Sequence, residues 1–200
     1  MGSSLGNKQR SLLIGSLLGD GTLNFSGNNP NLKIEHCLKQ RFYVFYKYRL
    51  LEQFVSTSPK LSYRYDNNRE PYPKSWWFRT IGLGSLNFYY DIFYPNEKKA
   101  IPSNIKQFLN PMVLAIWAMD DGSSNNNRTA FYFNSQSFLL IDQLKLCRAL
   151  KGKFNLNARV HKDKNKHRIY IPVKDTHLLT RIIYPYLLPE FAYKFPNVTP

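Results

Sequence analysis

Leu13-Ile14-Gly15-Ser16-Leu17-Leu18-Gly19-Asp20-Gly21 and Leu114-Ala115-Ile116-Trp117-Ala118-Met119-Asp120-Asp121-Gly122 are two apolar, helix-like runs, each closed by an acidic residue and then glycine. The carboxylate stands in an unfavourable place. Aligned backbone dipoles put partial negative charge at a helix C-terminus, so an Asp there is repelled unless a cation joins it. One such ending is an ordinary helix stop or turn; two, in separate halves of the chain, point to a pair of acidic groups gathered around metal.

Gly15 and Gly19 are four apart and share one helix face, and small residues at that spacing let a second helix backbone come close. Ala115 and Ala118 give the second run a comparable face, less ideal because Ile116 and Asp120 stand where the first has Gly15 and Gly19. If the two helices pack side by side and parallel, their C-terminal ends emerge together and Asp20 meets Asp121. Two carboxylates that close repel strongly in a low dielectric. Divalent cations relieve the repulsion and gain from the backbone carbonyls of each last turn, at Gly19 and Asp120. Gly21 and Gly122 are read as positive-φ residues that end the helices. Oxygen ligands, with His36, His161, His167 and His177 lacking ligand spacing, select Mg²⁺, with Mn²⁺ as substitute.

The rest of the chain repeats one plan around these runs. In the first half a helix over 11–20 is followed by a strand over 31–37, with Lys33 and Glu35 on one side and Leu32, Ile34 and His36 on the other. A helix over 38–55, strands over 61–65 and 76–81, and a short aromatic helix capped by Ser85 and ending near Phe93 complete it. In the second half Asn110-Pro111 starts a helix that runs to Asp121. A strand over 129–134 follows, then a helix from a Ser137 cap to about Lys151 with Gly152 beyond it. A hairpin around Asp163-Lys164-Asn165-Lys166 and a helix over 175–183 close the plan. Each half ends on a lysine segment, Lys98-Lys99-Ala100-Ile101-Pro102 and Tyr193-Lys194-Phe195-Pro196, at nearly equal distance from its acidic residue. The pattern is a duplication, packed most economically about a pseudo-two-fold axis, with an N-terminal half over 1–109 and a C-terminal half over 110–200.

Composition narrows the partner. A hydrophobic content of 43% in 200 residues supports a substantial core. The excess of 28 Lys+Arg over 13 Asp+Glu, a formal charge of +15, calls for a polyanion. The basic residues are spread along the chain, which favours a folded cationic surface over a basic tail. No apolar run approaches the ~20 residues that span a bilayer, so nucleic acid is favoured over membrane. Cys37 and Cys147 are too few and isolated for a zinc site or disulfide framework and are read as buried hydrophobes. Trp76, Trp77 and Trp117 are assigned to the core. Abundant Asn, Lys, Phe, Tyr and Ile hint at an A+T-rich, organellar genome.

Leu13–Gly21 and Leu114–Gly122 resemble the two signature motifs of the LAGLIDADG homing endonucleases. The lysine segments, Asn110-Pro111-Met112 and Asn134-Ser135-Gln136-Ser137-Phe138 are similar to the monomeric, two-motif branch, and the likeness spans nearly the whole chain. The resemblance implies an α+β fold of two αββαββα halves, with antiparallel DNA-binding saddles and a central two-helix interface. It implies a site-specific endonuclease, intron-encoded in an organelle, that hydrolyses double-stranded DNA across the minor groove and leaves a staggered break. Asp20 and Asp121 match its metal-binding acidic positions, Asp121 being preferred to Asp120 because it directly precedes the glycine. Lys99 and Lys194 match the lysines placed beside the scissile phosphates.

Base reading is expected from alternate positions on one face of the strands. Lys33, Glu35, Arg64, Arg79, Arg128, Tyr132, Asn134, Arg159, His161, Arg168 and Tyr170 are candidates, with the choice of face open around Arg168 and Ile169. Two other readings keep the scaffold. One is an intron RNA-splicing maturase, with intron RNA as partner; the other is a DNA-binding regulator without catalysis.

Overall fold

The computed structural model describes residues 4–25 and 27–196. The chain divides into two compact units, 1–90 and 91–200.

The first unit opens with α1 (Asn7–Leu18), where the Gly6 amide donates to Gln9 Oε1 at 2.8 Å. Every residue from Ser11 to Leu18 is buried, as expected of a helix apolar on all sides rather than along one stripe. Strand β1 (Thr22–Phe25) pairs antiparallel with β2 (Pro30–Cys37), Thr22 opposite Lys33. The single helix expected over 38–55 is three pieces. A 3₁₀ turn (Leu38–Gln40), α2 (Arg41–Leu51) and a second 3₁₀ turn (Glu52–Phe54) follow one another, the tighter winding sitting at helix ends where it is common.

Strands β3 (Lys60–Tyr65) and β4 (Pro71–Arg79) form the other hairpin, with a bulge at Ser62/Tyr63. β4 begins earlier than the 76–81 expected and stops before Ile81. Its prolines explain the missed start. Pro71 and Pro73 pair only with β3, because the β2 ladder ends at Cys37–Ser75, and Pro is tolerated where a strand has one neighbour. The sheet order is β1-β2-β4-β3. A 3₁₀ turn (Gly84–Leu86), rather than a Ser85 cap, leads into α3 (Asn87–Phe93), which crosses the boundary at 90/91.

In the second unit α4 (Ile105–Phe108) precedes α5 (Pro111–Asp121), whose start is as expected: Asn110 Oδ1 accepts from the Val113 amide at 2.9 Å and Pro111 takes the first turn. Residues Met112 to Asp120 are all buried. Strand β5 (Gly122–Ser124) pairs with β6 (Phe131–Phe133). Helix α6 (Leu140–Phe154) does not start at Ser137 or stop before Gly152; it runs through Gly152 to Asn155, whose φ of 59° makes the left-handed cap. Asn is the residue after Gly best suited to that conformation. Strands β7 (Arg159–Asp163) and β8 (Lys166–Ile171) join through a two-residue turn, and α7 (Val173–Ile183) follows. The sheet order β5-β6-β8-β7 repeats that of the first unit, so the duplication read from the motifs is a duplication of topology. Among the described residues no helix is long and apolar enough to cross a membrane.

Candidate metal centre and nucleic-acid interface

At the first acidic tip, α1 ends in a tight turn: the Gly19 amide donates to Gly15 O and Ser16 O, and the Gly21 amide to Ser16 O at 2.7 Å. The turn needs a glycine at 21 for space. A Cβ there would lie 2.7 Å from Ser16 Cβ and 2.9 Å from Ser16 O. Gly122 is similarly closed off, by Ala118 O and the Phe131 ring, with φ −75°. The expected positive φ is found at neither; among the described glycines it occurs at Gly27. Close approach, not left-handed backbone, fixes both motif glycines.

Asp20 is half-exposed, its side chain 47% accessible, and its Oδ2 lies 3.3 Å from His36 Nδ1. His36 projects from the inward face of β2 and is buried. Its other nitrogen, Nε2, is 3.2 Å from Nζ of Lys47, a fully buried lysine of α2 that also sits 4.3 Å from the Tyr43 ring centre. Neither His36 nor Lys47 was given a role from sequence. The available signal was a polar residue alternating with Leu32 and Ile34 on a buried face, which demands a partner.

The second tip is wired otherwise. Lys194 Nζ donates to the carbonyls of Met119 at 2.6 Å and Asp120 at 3.0 Å, setting an ammonium on the negative end of α5. The Asn134 amide and its Nδ2 both donate to Asp121 O, at 2.9 and 2.8 Å. Asp120 is buried and Asp121 half-buried. Arg128 Nη2 donates to Phe195 O at 3.0 Å and Ala192 O at 3.3 Å, and Phe195 stacks on Phe131 at 5.0 Å; together they hold the segment carrying Lys194. Arg128 therefore has a structural task on the free protein. Lys99 lies 5.8 Å from the Phe138 ring centre.

The outward face of the first sheet carries Lys33 and Glu35 of β2, opposite Arg79 and Trp77 of β4, with Lys60 of β3 opposite Trp77. Glu35 is held by Lys33 at 2.7 Å, Lys74 at 3.3 Å and the Ser75 hydroxyl. Burial raises its pKa, but Lys33, Ser75 and Lys74 outweigh that and lower it to about 2. Trp77 is not the core residue expected: it is half-buried on this face, 5.7 Å from Lys33 Nζ. With Lys60 and Arg79 it lines a cleft of about 340 Å³. Arg64 is exposed near the far end of β3. Cys37, expected to be buried, is exposed because it is the last residue of β2 and on this same face; Cys147 is buried, which pushes its thiol up to about 11.

In the second sheet the ambiguity at Arg168 and Ile169 is settled. Ile169 and Ile171 are buried, so Arg168 and Tyr170 face outward, with His161 opposite Arg168 and Arg159 opposite Tyr170. Tyr132 joins them across β6–β8. The group is packed face on face: His161 stacks on Tyr170 at 4.1 Å, and the Arg168 guanidinium lies 3.9 Å over the Tyr132 ring. Burial first, then Arg159 and Arg168, push the His161 pKa below its ordinary value. Asn134 flanks the group, its Nδ2 3.2 Å from Ser123 Oγ.

Two acidic helix ends, each beside a four-stranded antiparallel sheet with a basic and aromatic outer face, invite comparison with known proteins. The profile of the LAGLIDADG DNA endonuclease family matches residues 10–179. The chain belongs to this family. DNA endonuclease I-ChuI of Chlamydomonas applanata is 29% identical over 96% of this chain and 95% of its own. Probable intron-encoded endonuclease 1 of Wickerhamomyces canadensis is 30% identical over 96% of this chain and 85% of its own. A cytochrome b mRNA maturase, bI2 of Debaryomyces hansenii, is 30% identical over 93% of this chain and 72% of its own. Among solved structures, the homing endonuclease I-WcaI bound to its DNA recognition sequence superposes with a TM-score of 0.87 at 29% identity, covering 96% of this chain and 87% of that one. This LAGLIDADG protein therefore has the fold of a DNA-bound homing endonuclease along nearly its whole length.

Proposed function

We propose that this protein is a site-specific, metal-dependent endonuclease of double-stranded DNA, intron-encoded in an organelle and acting as a single chain. The likeness to the DNA-bound homing endonuclease carries the reading, because it covers 96% of this chain. Asp20 and Asp121 supply the carboxylates, and the Gly19 and Asp120 carbonyls, the latter accepting from Lys194, are the oxygens that adjoin them in sequence. Such a donor set is hard oxygen, one carboxylate being half-exposed, which fits Mg²⁺ and also Mn²⁺. Bound divalent ions would supply a more acidic attacking water and a counter-charge for the leaving oxygen.

The remaining work falls to the chain. Lys194 brings positive charge to the second tip and Lys99 is its counterpart for the first, where charge builds on phosphorus in the transition state. Lys33, Arg64, Arg79, Arg159 and Arg168 neutralise phosphates or reach base edges, and Tyr132, Asn134, His161 and Tyr170 complete the second reading face. Selection of cleaved sites from a randomised duplex library in Mg²⁺ tests the proposal. Recovery of one long, staggered cleavage site is expected; no cleavage in either Mg²⁺ or Mn²⁺ overturns it.

The maturase relative favours a second reading, in which the same basic faces hold intron RNA. A splicing assay on the host intron transcript, run beside the cleavage assay, separates the two.

A further inference from the structure

We infer that His36 and Lys47 are positioning residues that fix the Asp20 carboxylate from inside the first unit, through a histidine locked in its Nδ1–H tautomer. The inference rests on Asp20 being a working carboxylate, as proposed above.

The chain of contacts is Lys47 Nζ, His36 Nε2 at 3.2 Å, and His36 Nδ1 to Asp20 Oδ2 at 3.3 Å. An ammonium has donors and no acceptor. His36 Nε2 must then accept, and the single N–H of the neutral ring sits on Nδ1, pointing at Asp20. Lys47 is fully buried, and its Nζ lies over the Tyr43 ring, where the quadrupole attracts a cation. A buried charge at the far end of a histidine, with an acidic group at the near end, serves no packing need. An apolar residue of the same volume would fill the space at less cost. What the arrangement accomplishes is to hold one carboxylate oxygen, Asp20 Oδ2, by a fixed donor.

The second unit has a different residue at the equivalent position. Counting from the motif glycines along the paired ladders, Ser135 stands where His36 does, and Ser135 Oγ makes no hydrogen bond among the described residues. Support there comes through backbone carbonyls, from Lys194 and Asn134.

The test reads the tautomer directly, in the full ¹⁵N-histidine-labelled chain without metal or DNA. Two-bond ¹H–¹⁵N correlations are expected to show His36 with its hydrogen on Nδ1, and Lys47→Met to lower the Nδ1–H population, since Asp20 alone then favours that tautomer. An Nε2–H ring in the unaltered protein overturns the inference, whatever the activity. Cleavage supplies the second arm. His36→Ala is expected to raise the Mg²⁺ concentration for half-maximal cleavage by about 10- to 100-fold, the usual effect of removing a group that orients a ligand. His36→Asn, whose amide N–H takes the place of Nδ1–H, should restore it to within a few-fold. Equal loss in both variants, with unfolding transitions unchanged, overturns the positioning role. Absence of cleavage by the unaltered chain would sink the nuclease reading while leaving the tautomer result standing.

Discussion

The two acidic tips share a backbone frame and differ in nearly everything that holds it. At the first, the side chain of Asp20 is secured by His36, which Lys47 anchors from the core. At the second, the carbonyls of Met119, Asp120 and Asp121 are secured, by Lys194 and Asn134. Duplication thus preserved the strand order and the close glycine turn, which any substitution would break sterically, while each half acquired its own polar support. The outer faces of the two sheets diverged as well. One is a Lys–Glu–Lys cluster beside a tryptophan; the other is a stack of Tyr, His, Tyr and Arg. Operator symmetry mirrors protein symmetry, so two unequal faces on one chain suit an asymmetric target.

The largest effect should come from the tips themselves. Asp20→Asn and Asp121→Asn are each expected to lower the cleavage rate by about 10³-fold or more, with DNA affinity retained in a gel-shift assay. The comparison sharpens at the neighbouring residue: Asp120→Asn should cost less than Asp121→Asn, and the reverse order would move the metal ligand one residue inward.

Lys194→Met and Lys99→Met come next, each slowing cleavage by roughly 10²- to 10³-fold. Lys194→Met should also lower stability, because it leaves two carbonyls without their donor, at about 1–3 kcal/mol. Thermal unfolding of Lys194→Met that matched the unaltered chain would show that this end of the second motif helix does not depend on the ammonium.

On the reading faces, Arg168→Ala should relax preference at one base pair by about 1–3 kcal/mol. Lys33→Ala should weaken binding across all sequences and lower the salt slope by about one. Titrations of each variant against a panel of single-mismatch duplexes distinguish the two. If Arg168→Ala weakened every duplex alike, the second face would be holding backbone only.

The smallest expected effect is a pH dependence. Glu35 falls from 4.5 to about 2 on folding. Its contribution is present above the unfolded value and is lost as pH falls from about 4.5 toward 2. Urea unfolding of Glu35→Gln should accordingly differ from the parent at neutral pH and converge with it near pH 2. Among the described residues no comparable carboxylate cluster sits on the second face, so a gap that persisted at low pH would assign the effect to something other than the Lys33–Glu35–Lys74 charges.

The strongest local signals were legible in the sequence. The motif helices, the Asn110 cap with Pro111, and the alternation that turns Lys33 and Glu35 away from Leu32 and Ile34 all appear in the structure. Elements were missed where the signal is short or non-local. β1 and β5 have four and three residues, too few for alternation to register. The start of β4 is masked by prolines that only its one-sided pairing allows. The ends of α6 were misjudged because Gly152 reads as a stop although Asn155 provides it. His36 and Lys47 lie on a strand and a helix whose meeting no periodicity reveals, so a histidine read as lacking ligand spacing turned out to face Asp20.

The most direct test is strand-resolved cleavage of the selected duplex, each strand labelled separately, by the unaltered chain and by the Asp20→Asn/Asp121→Asn double variant in Mg²⁺. The account predicts a staggered double-strand break by the unaltered chain that disappears with a chelator, and intact DNA, still bound, with the double variant. Normal cutting by the double variant would contradict it.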